Sequence, residues 1–195
     1  MIRVRYQLPV TSPGAILREE KRVGSSLGLE ADKLTSQGRL VPDEMVNAVV
    51  GKWLEHHGIA FVFDGYPRSR GQADALDQML SARRTPLEVV VFLKVDLATI
   101  HDRVASRVTC SHCGLSLSLS LHLPGVESGC PSCGRALTKR QDDKAEALEE
   151  RMREYAEKTE PLISYYSDRS LLRPVDGNRP PDAVFDSIVK ILEQK

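Results

Sequence analysis

No stretch of this 195-residue chain approaches the length of a membrane span, and the N-terminus MIRVRYQLPV lacks the apolar core of a signal peptide. On those grounds neither a spanning nor an exported protein is expected, and a cytoplasmic location is the default expectation. Excess charge is lacking too: 27 basic residues face 27 acidic ones. No global field draws the chain to DNA or to an acidic membrane, so any anion site has to be local. There is no internal repeat, and no cysteine outside one window of 24 positions. What remains is ordinary for a folded protein: 41% hydrophobic and 28% charged residues, with length for one core and a small insertion.

Phe61-Val-Phe-Asp-Gly-Tyr-Pro-Arg68, followed by Ser69-Arg-Gly-Gln72, is the most telling segment. A short apolar run stops at an acid, a glycine, a proline and an arginine, as a buried parallel strand does when its carboxyl end opens into a ligand site. Asp64 suits a hydrated metal ion, Arg68 a phosphate, and Gln72 the edge of a base. A strand, a turn and a solvated arginine explain the same residues without any ligand.

The four cysteines form two identical knuckles, Cys110-Ser-His-Cys113-Gly and Cys130-Pro-Ser-Cys133-Gly, with sixteen residues between them. This spacing suits a closed, structural zinc site of four thiolates; His112 is not counted as a ligand. Two disulfides are the alternative, set aside because no export signal is present. A zinc ribbon for nucleic acid is disfavoured, since no lysine, arginine or aromatic residue lies between the knuckles.

Around these motifs, strands alternate with helices, which argues for an α/β parallel sheet. Helices are expected over Leu17–Gly28 and Leu29–Gly38, each stopping at its glycine, and from Pro42 through Leu54. Phe61–Phe63 and Glu88–Val95 read as buried strands. Ser69–Ser81, Ala98–Arg107, Lys144–Tyr166 and Ala183–Leu192 read as helices, with a short strand at Leu171–Val175. The alternating leucines of Leu115–Leu123 suit a hairpin strand, one face on the zinc module and one wet.

Set in order, these segments resemble the adenylate kinase family from about Tyr6 to the C-terminus. Gly38-Arg-Leu-Val-Pro-Asp-Glu44 resembles the segment against the AMP base, which implies contacts from Arg39, Leu40 and Val41. Asp64-Gly-Tyr-Pro-Arg68 with Gln72 resembles the core AMP motif, including Gly65. Arg18 stands where the AMP-phosphate arginine belongs. Arg103 and Arg107 resemble the pair that approaches ATP, and Arg179 lies where the backbone touches the ATP adenine. Arg140 and Arg151 resemble arginines that meet AMP and neutralise the transferring phosphoryl group. Tyr155–Tyr166, with Thr159, Glu160, Pro161 and Leu162, fits the helix that follows. The resemblance implies a P-loop-NTPase-like α/β fold whose core is 1–11, 42–107 and 144–195, with an AMP segment at 12–41 and a zinc lid at 108–143. It implies a monomer acting on ATP, AMP and ADP with magnesium, without nucleic acid or membrane partners. Arg68, Arg107, Arg140, Arg151 and Asp64 would carry catalysis, and Arg18, Arg68, Arg107, Arg140 and Arg151 would converge only when the lid closes.

Two departures from the family stand out. The motif G-x-x-x-x-G-K-[ST] does not occur, and the one Gly-Lys pair, Gly51-Lys52, is followed by Trp53 within a helical pattern. The family's first strand, phosphate loop and first helix are therefore expected to be missing, as in a truncated reading frame. Met1–Arg5, alternating at Ile2 and Val4, would fill at most part of the strand's slot. The second departure is Ser12-Pro-Gly-Ala15, where the family has Ser-Thr-Gly-Asp. AMP recognition is then expected to be mostly intact, and metal and ATP handling impaired. A non-catalytic AMP-binding protein is the rival reading.

Overall fold

Several helices in this chain begin at a small polar side chain or a proline, residues suited to the unsatisfied N–H groups of a first turn. The computed structural model describes residues 1–36, 41–110, 112–119, 129–139 and 145–194. Along them run helix α1 (Ile2–Tyr6), strand β1 (Val10–Thr11), α2 (Pro13–Arg22), α3 (Ser26–Ser36), α4 (Asp43–Glu55), β2 (Val62–Phe63), α5 (Arg70–Ala82), β3 (Val90–Lys94) and α6 (Leu97–Ala105). There follow β4 (Arg107–Cys110), β5 (Ser116–Ser118), β6 (Leu137–Thr138), α7 (Ala145–Glu154), a π-helical turn (Tyr155–Thr159), α8 (Pro161–Ser167), β7 (Leu172–Asp176) and α9 (Pro181–Glu193). Ser12, Ser69 and Asp96 cap α2, α5 and α6, accepting from the N–H of Ala15, Gln72 and Thr99 at 3.2, 3.1 and 2.7 Å. Pro13 opens α2, a position where a missing N–H costs nothing.

The chain divides into two compact units, Met1–Val91 with Tyr155–Arg173, and Phe92–Glu154 with Pro174–Lys195. The first is centred on α4 and α5, where Val49, Val50, Leu54, Leu76 and Leu80 are buried. Trp53, Phe61, Phe63 and Tyr66 pack ring against ring along its border. In α8, Tyr165 lies between the Arg70 and Arg169 guanidinium groups, 4.2 and 3.6 Å from its ring centre. Its hydroxyl donates to Asp77 at 2.7 Å, which ties α8 to α5. In the second unit, Gly177 N–H donates to Lys94 O at 2.7 Å, and Asn178 Oδ1 accepts from Asp96 N–H at 3.1 Å.

Several expectations need correction. The helix expected over Leu17–Gly28 starts earlier, at its Ser12 cap, and is over by Arg22. Gly28 ends nothing; it lies inside α3, buried against α2, where an added Cβ would stand 2.2 Å from Lys21 N and 2.3 Å from Glu20 C. The glycine is there for close backbone approach. Gly28→Ala is expected to destabilise the first unit by about 2 kcal/mol or more through overpacking, read as a lower urea midpoint. Met1–Arg5 supplies no strand: residues 2–6 are helical, with Val4 and Arg5 N–H both satisfied by Met1 O. The long helix expected from Lys144 to Tyr166 is interrupted by the π-helical turn, because Pro161 has no N–H to continue the ladder and starts a new helix.

The strands are shorter and less covered than a central parallel sheet would make them. β1 and β2 pair in parallel, Val10 with Val62 and Thr11 with Phe63. β3 pairs with β7, and the bonds at Val90–Leu171 and Lys94–Gly177 advance together along both strands, as in parallel pairing. Each of these strands thus has one strand neighbour among the described residues, so β2 is half-buried, and Leu93 and Lys94 of β3 are exposed. In the second unit β4 pairs antiparallel with both β5 and β6. Within the leucine alternation, Leu115 and Leu117 are half-covered, but Leu119 is exposed while Ser118 turns in to meet the Ser106 hydroxyl at 2.6 Å. Residues 120–123 of that run lie outside the described residues. No described helix is long and apolar enough to cross a membrane.

Candidate functional site

At the carboxyl end of β2 the chain leaves the sheet abruptly. Asp64 N–H donates to Thr11 O at 2.8 Å, so Asp64 closes the ladder, with its side chain exposed. Gly65 follows at φ 67°, and an added Cβ would lie 2.7 Å from Arg68 Nη2, so only glycine suits the turn. Tyr66 then drops into the core and precedes a cis peptide bond to Pro67. Its hydroxyl donates to Asn47 Oδ1 at 2.8 Å.

Arg68 folds back over this turn, its Nε donating to Gly65 O at 2.8 Å. Its terminal nitrogens have no hydrogen-bond partner among the described residues, so the planar fork is held at the strand end and open to an anion. Its backbone is pinned twice: Arg68 N–H donates to Gln72 Oε1 and Thr159 Oγ1 donates to Arg68 O, both at 2.8 Å. Gln72 is 6% exposed, and its Nε2 donates to Asp43 Oδ1 at 2.6 Å. The other Asp43 oxygen accepts from the Ser69 hydroxyl. Arg18 is exposed on α2, and Val41 packs beside the core next to α4. Arg39, Leu40 and Arg140 lie outside the described residues.

Asp43, Ser69 and Thr159 are the partners that sequence reasoning missed. Asp43 reads as an acid favourable to the helix dipole, and it is one, but it also joins Gln72 across 29 positions. No local pattern signals that pairing. Burial, with the Asp43 carboxylate nearby, pushes the Tyr66 phenol well above its ordinary range. The folded state therefore favours the neutral phenol, while the unfolded chain ionises near pH 10. Stability from Tyr66 is present below that pH and is lost above it. Urea midpoints at pH 8 and 10.5 are expected to fall for the wild type and to fall less for Tyr66→Phe.

The remaining arginines belong to the second unit. Arg103, on α6, donates through Nη2 to Gly177 O at 2.8 Å, which fixes the turn after β7. Arg107 begins β4 opposite Ser118 and is half-buried, as is Arg151 on α7. Arg179 is exposed, with a long 3.5 Å contact to Ser187 Oγ.

The four cysteine sulfurs lie within 4.8 Å of one another. Cys110–Cys133 and Cys113–Cys130 are each separated by 3.5 Å. Tetrahedral metal–thiolate bonds of about 2.3 Å place sulfurs about 3.8 Å apart, so the set fits such an ion. Gly114 and Gly134 take left-handed φ, and their N–H groups return to Cys110 O and Cys130 O. N–H groups of Cys113 and His112 aimed at Cys110 bring its thiol down to about 6. At Cys133 the Arg135 N–H pulls the same way, but local desolvation of the sulfur and three neighbouring thiols outweigh it and push the group up to about 12. Four thiolates this close would need a cation among them. His112 is exposed and stands outside the cluster.

Comparison with known proteins shows the family. The family model described as adenylate kinase matches residues 1–171. The adenylate kinase of Thermodesulfovibrio yellowstonii is 38% identical over 193 residues, covering 98% of this chain and 90% of the relative. That of Methanococcoides burtonii is 40% identical over 191 residues, or 97% and 88% of the two chains. That of Archaeoglobus fulgidus is 37% identical over 192 residues, again 97% and 88%. The chain, with an arginine held at a strand end and four clustered thiols later in its sequence, belongs to the adenylate kinase family, whose members are nucleoside monophosphate kinases.

Proposed function

We propose that the chain binds AMP at the carboxyl end of β2 and takes part in reversible phosphoryl transfer from Mg-ATP to AMP, giving two ADP. The observation that carries this reading is Arg68, exposed and with its guanidinium bent over Gly65, one helical turn from an anchored Gln72. Arg68 and Arg18 would bind the AMP phosphate, Gln72 would read the base, and Gly65, Arg39, Leu40 and Val41 would flank it. Arg103, Arg107 and Arg179 are assigned to ATP, and Arg140 and Arg151 to AMP and the migrating phosphoryl group. Such a reaction asks the protein for alignment and charge stabilisation more than for covalent chemistry. Asp64 would orient water on the magnesium that arrives with ATP. The four cysteines would hold a structural zinc ion, in a lid spanning 108–143. The core would be 1–11, 42–107 and 144–195, and 12–41 the AMP segment, in a monomer of the cytoplasm.

One observation favours a second reading, an AMP-binding homologue with impaired catalysis. The 195 residues contain no G-x-x-x-x-G-K-[ST], so the backbone cradle for ATP phosphates and its lysine are not among them. An assay of ADP formation from ATP, AMP and magnesium, run beside an AMP titration, separates the readings. Two ADP per ATP consumed supports transfer, and AMP binding without ADP formation supports the second. No AMP binding contradicts both.

A further inference from the structure

We propose that Asp43 is a positioning residue that sets the base preference of the AMP site by fixing which end of the Gln72 carboxamide is oxygen. The inference rests on the reading of Gln72 as the base contact. Gln72 Oε1 accepts from Arg68 N–H at 2.8 Å, and Gln72 Nε2 donates to Asp43 Oδ1 at 2.6 Å. A backbone N–H has only a proton to offer, and a carboxylate only lone pairs. Flipping the amide would set donor against donor at Arg68 and acceptor against acceptor at Asp43. Its orientation is therefore dictated from both ends.

Asp43 is itself held. Its second oxygen accepts from the Ser69 hydroxyl, and the same hydroxyl accepts from Gln72 N–H at 3.1 Å as the cap of α5. Asp43 opens α4 and Gln72 lies in the first turn of α5, so the network spans two helices whose facing residues form the core. The amide is thus pre-set before any ligand arrives, and side-chain entropy need not be lost on binding.

One lone pair of Oε1 and one proton of Nε2 remain after these bonds. Together they present an acceptor beside a donor. That pair matches a purine edge carrying an amino group next to an unprotonated ring nitrogen, as in adenine. It opposes a purine with a carbonyl next to a ring N–H, as in hypoxanthine or guanine. A polar site reads such differences strongly because the wrong partner leaves buried groups unpaired. The acceptor purine is chosen at Asp43 as much as at Gln72.

The test measures Kd for AMP and IMP by calorimetry on the full chain. For the wild type, AMP is expected to bind at least tenfold more tightly, and Gln72→Ala is expected to bring the ratio near one. Asp43→Ala is expected to lower the ratio at least fivefold, whereas Asp43→Asn, which keeps an acceptor toward Nε2, retains most of it. A wild-type ratio near one, or one unmoved by Gln72→Ala, defeats the reading of Gln72 itself. A ratio that falls in Gln72→Ala but holds in Asp43→Ala overturns the role of Asp43 alone. Should Asp43→Ala not fold, the Gln72 side-chain amide resonances of the wild type decide. One of the two NH2 protons shifted downfield and slow to exchange with water before AMP is added supports the proposal, and two protons that exchange as freely as those of a solvated glutamine refute it.

Discussion

Replacing Arg68 with alanine is expected to weaken AMP binding by about a hundredfold while leaving adenosine binding within about threefold. The asymmetry follows from geometry. Arg68 Nε is spent on Gly65 O, which locks the guanidinium plane over the β2 turn and leaves the terminal nitrogens for a phosphate. A fork fixed in advance loses little entropy when it meets an oxyanion, and a charge-assisted pair of bonds is worth several neutral ones. Adenosine has no phosphate and makes no use of it. Arg68→Lys is expected to recover only a small part, since an ammonium cannot keep the Gly65 bond and present two further donors in one plane. Equal losses for AMP and adenosine would mean that the substitution had disturbed the turn instead. The tie from Thr159 Oγ1 to Arg68 O guards against that, because it holds the backbone and not the side chain.

The second large effect is expected at the cysteines. Cys130→Ser, or treatment of the wild type with a chelator, should abolish metal binding and unfold the module from β4 to β6. The strands there are four, three and two residues long, and three such strands bury too little to stand alone. Cys110 and Cys130, both fully buried, are the nearest thing to a core. In small metal-organised domains the binding energy is folding energy, and apparent values reach about 10 kcal/mol or more. One zinc per chain is expected by metal analysis, and none in Cys130→Ser. Tryptic cleavage after Arg135 and Lys139 should speed up at least tenfold without metal. The tight core of α4 and α5 lies in the other unit and should keep its helical signal.

What the sequence makes legible divides by range. The thiol cluster is written in two local spacings, and the caps at Ser12, Ser69 and Asp96 act within three residues of themselves. The helices Asp43–Glu55 and Arg70–Ala82 follow from periodicity and come out within a residue or two. Gly28 is harder, because a glycine serves a helix end and a close backbone approach equally well. Only the neighbouring helix decides, through Glu20 and Lys21. The apolar run at Val90–Leu93 reads as buried, yet burial is conferred by strands and helices elsewhere, and among the described residues β3 has one strand neighbour. The Asp43–Gln72–Ser69 network is illegible for the same reason, its members being up to 29 positions apart.

The most direct measurement is an amide NMR titration of the 195-residue chain with AMP. The account predicts saturable shifts concentrated at Gly65, Arg68, Gln72 and the Gln72 side-chain amide, with Arg18 and Val41 following. Saturable binding that leaves the Gly65–Gln72 segment unmoved, or no saturable shift at all, would contradict it.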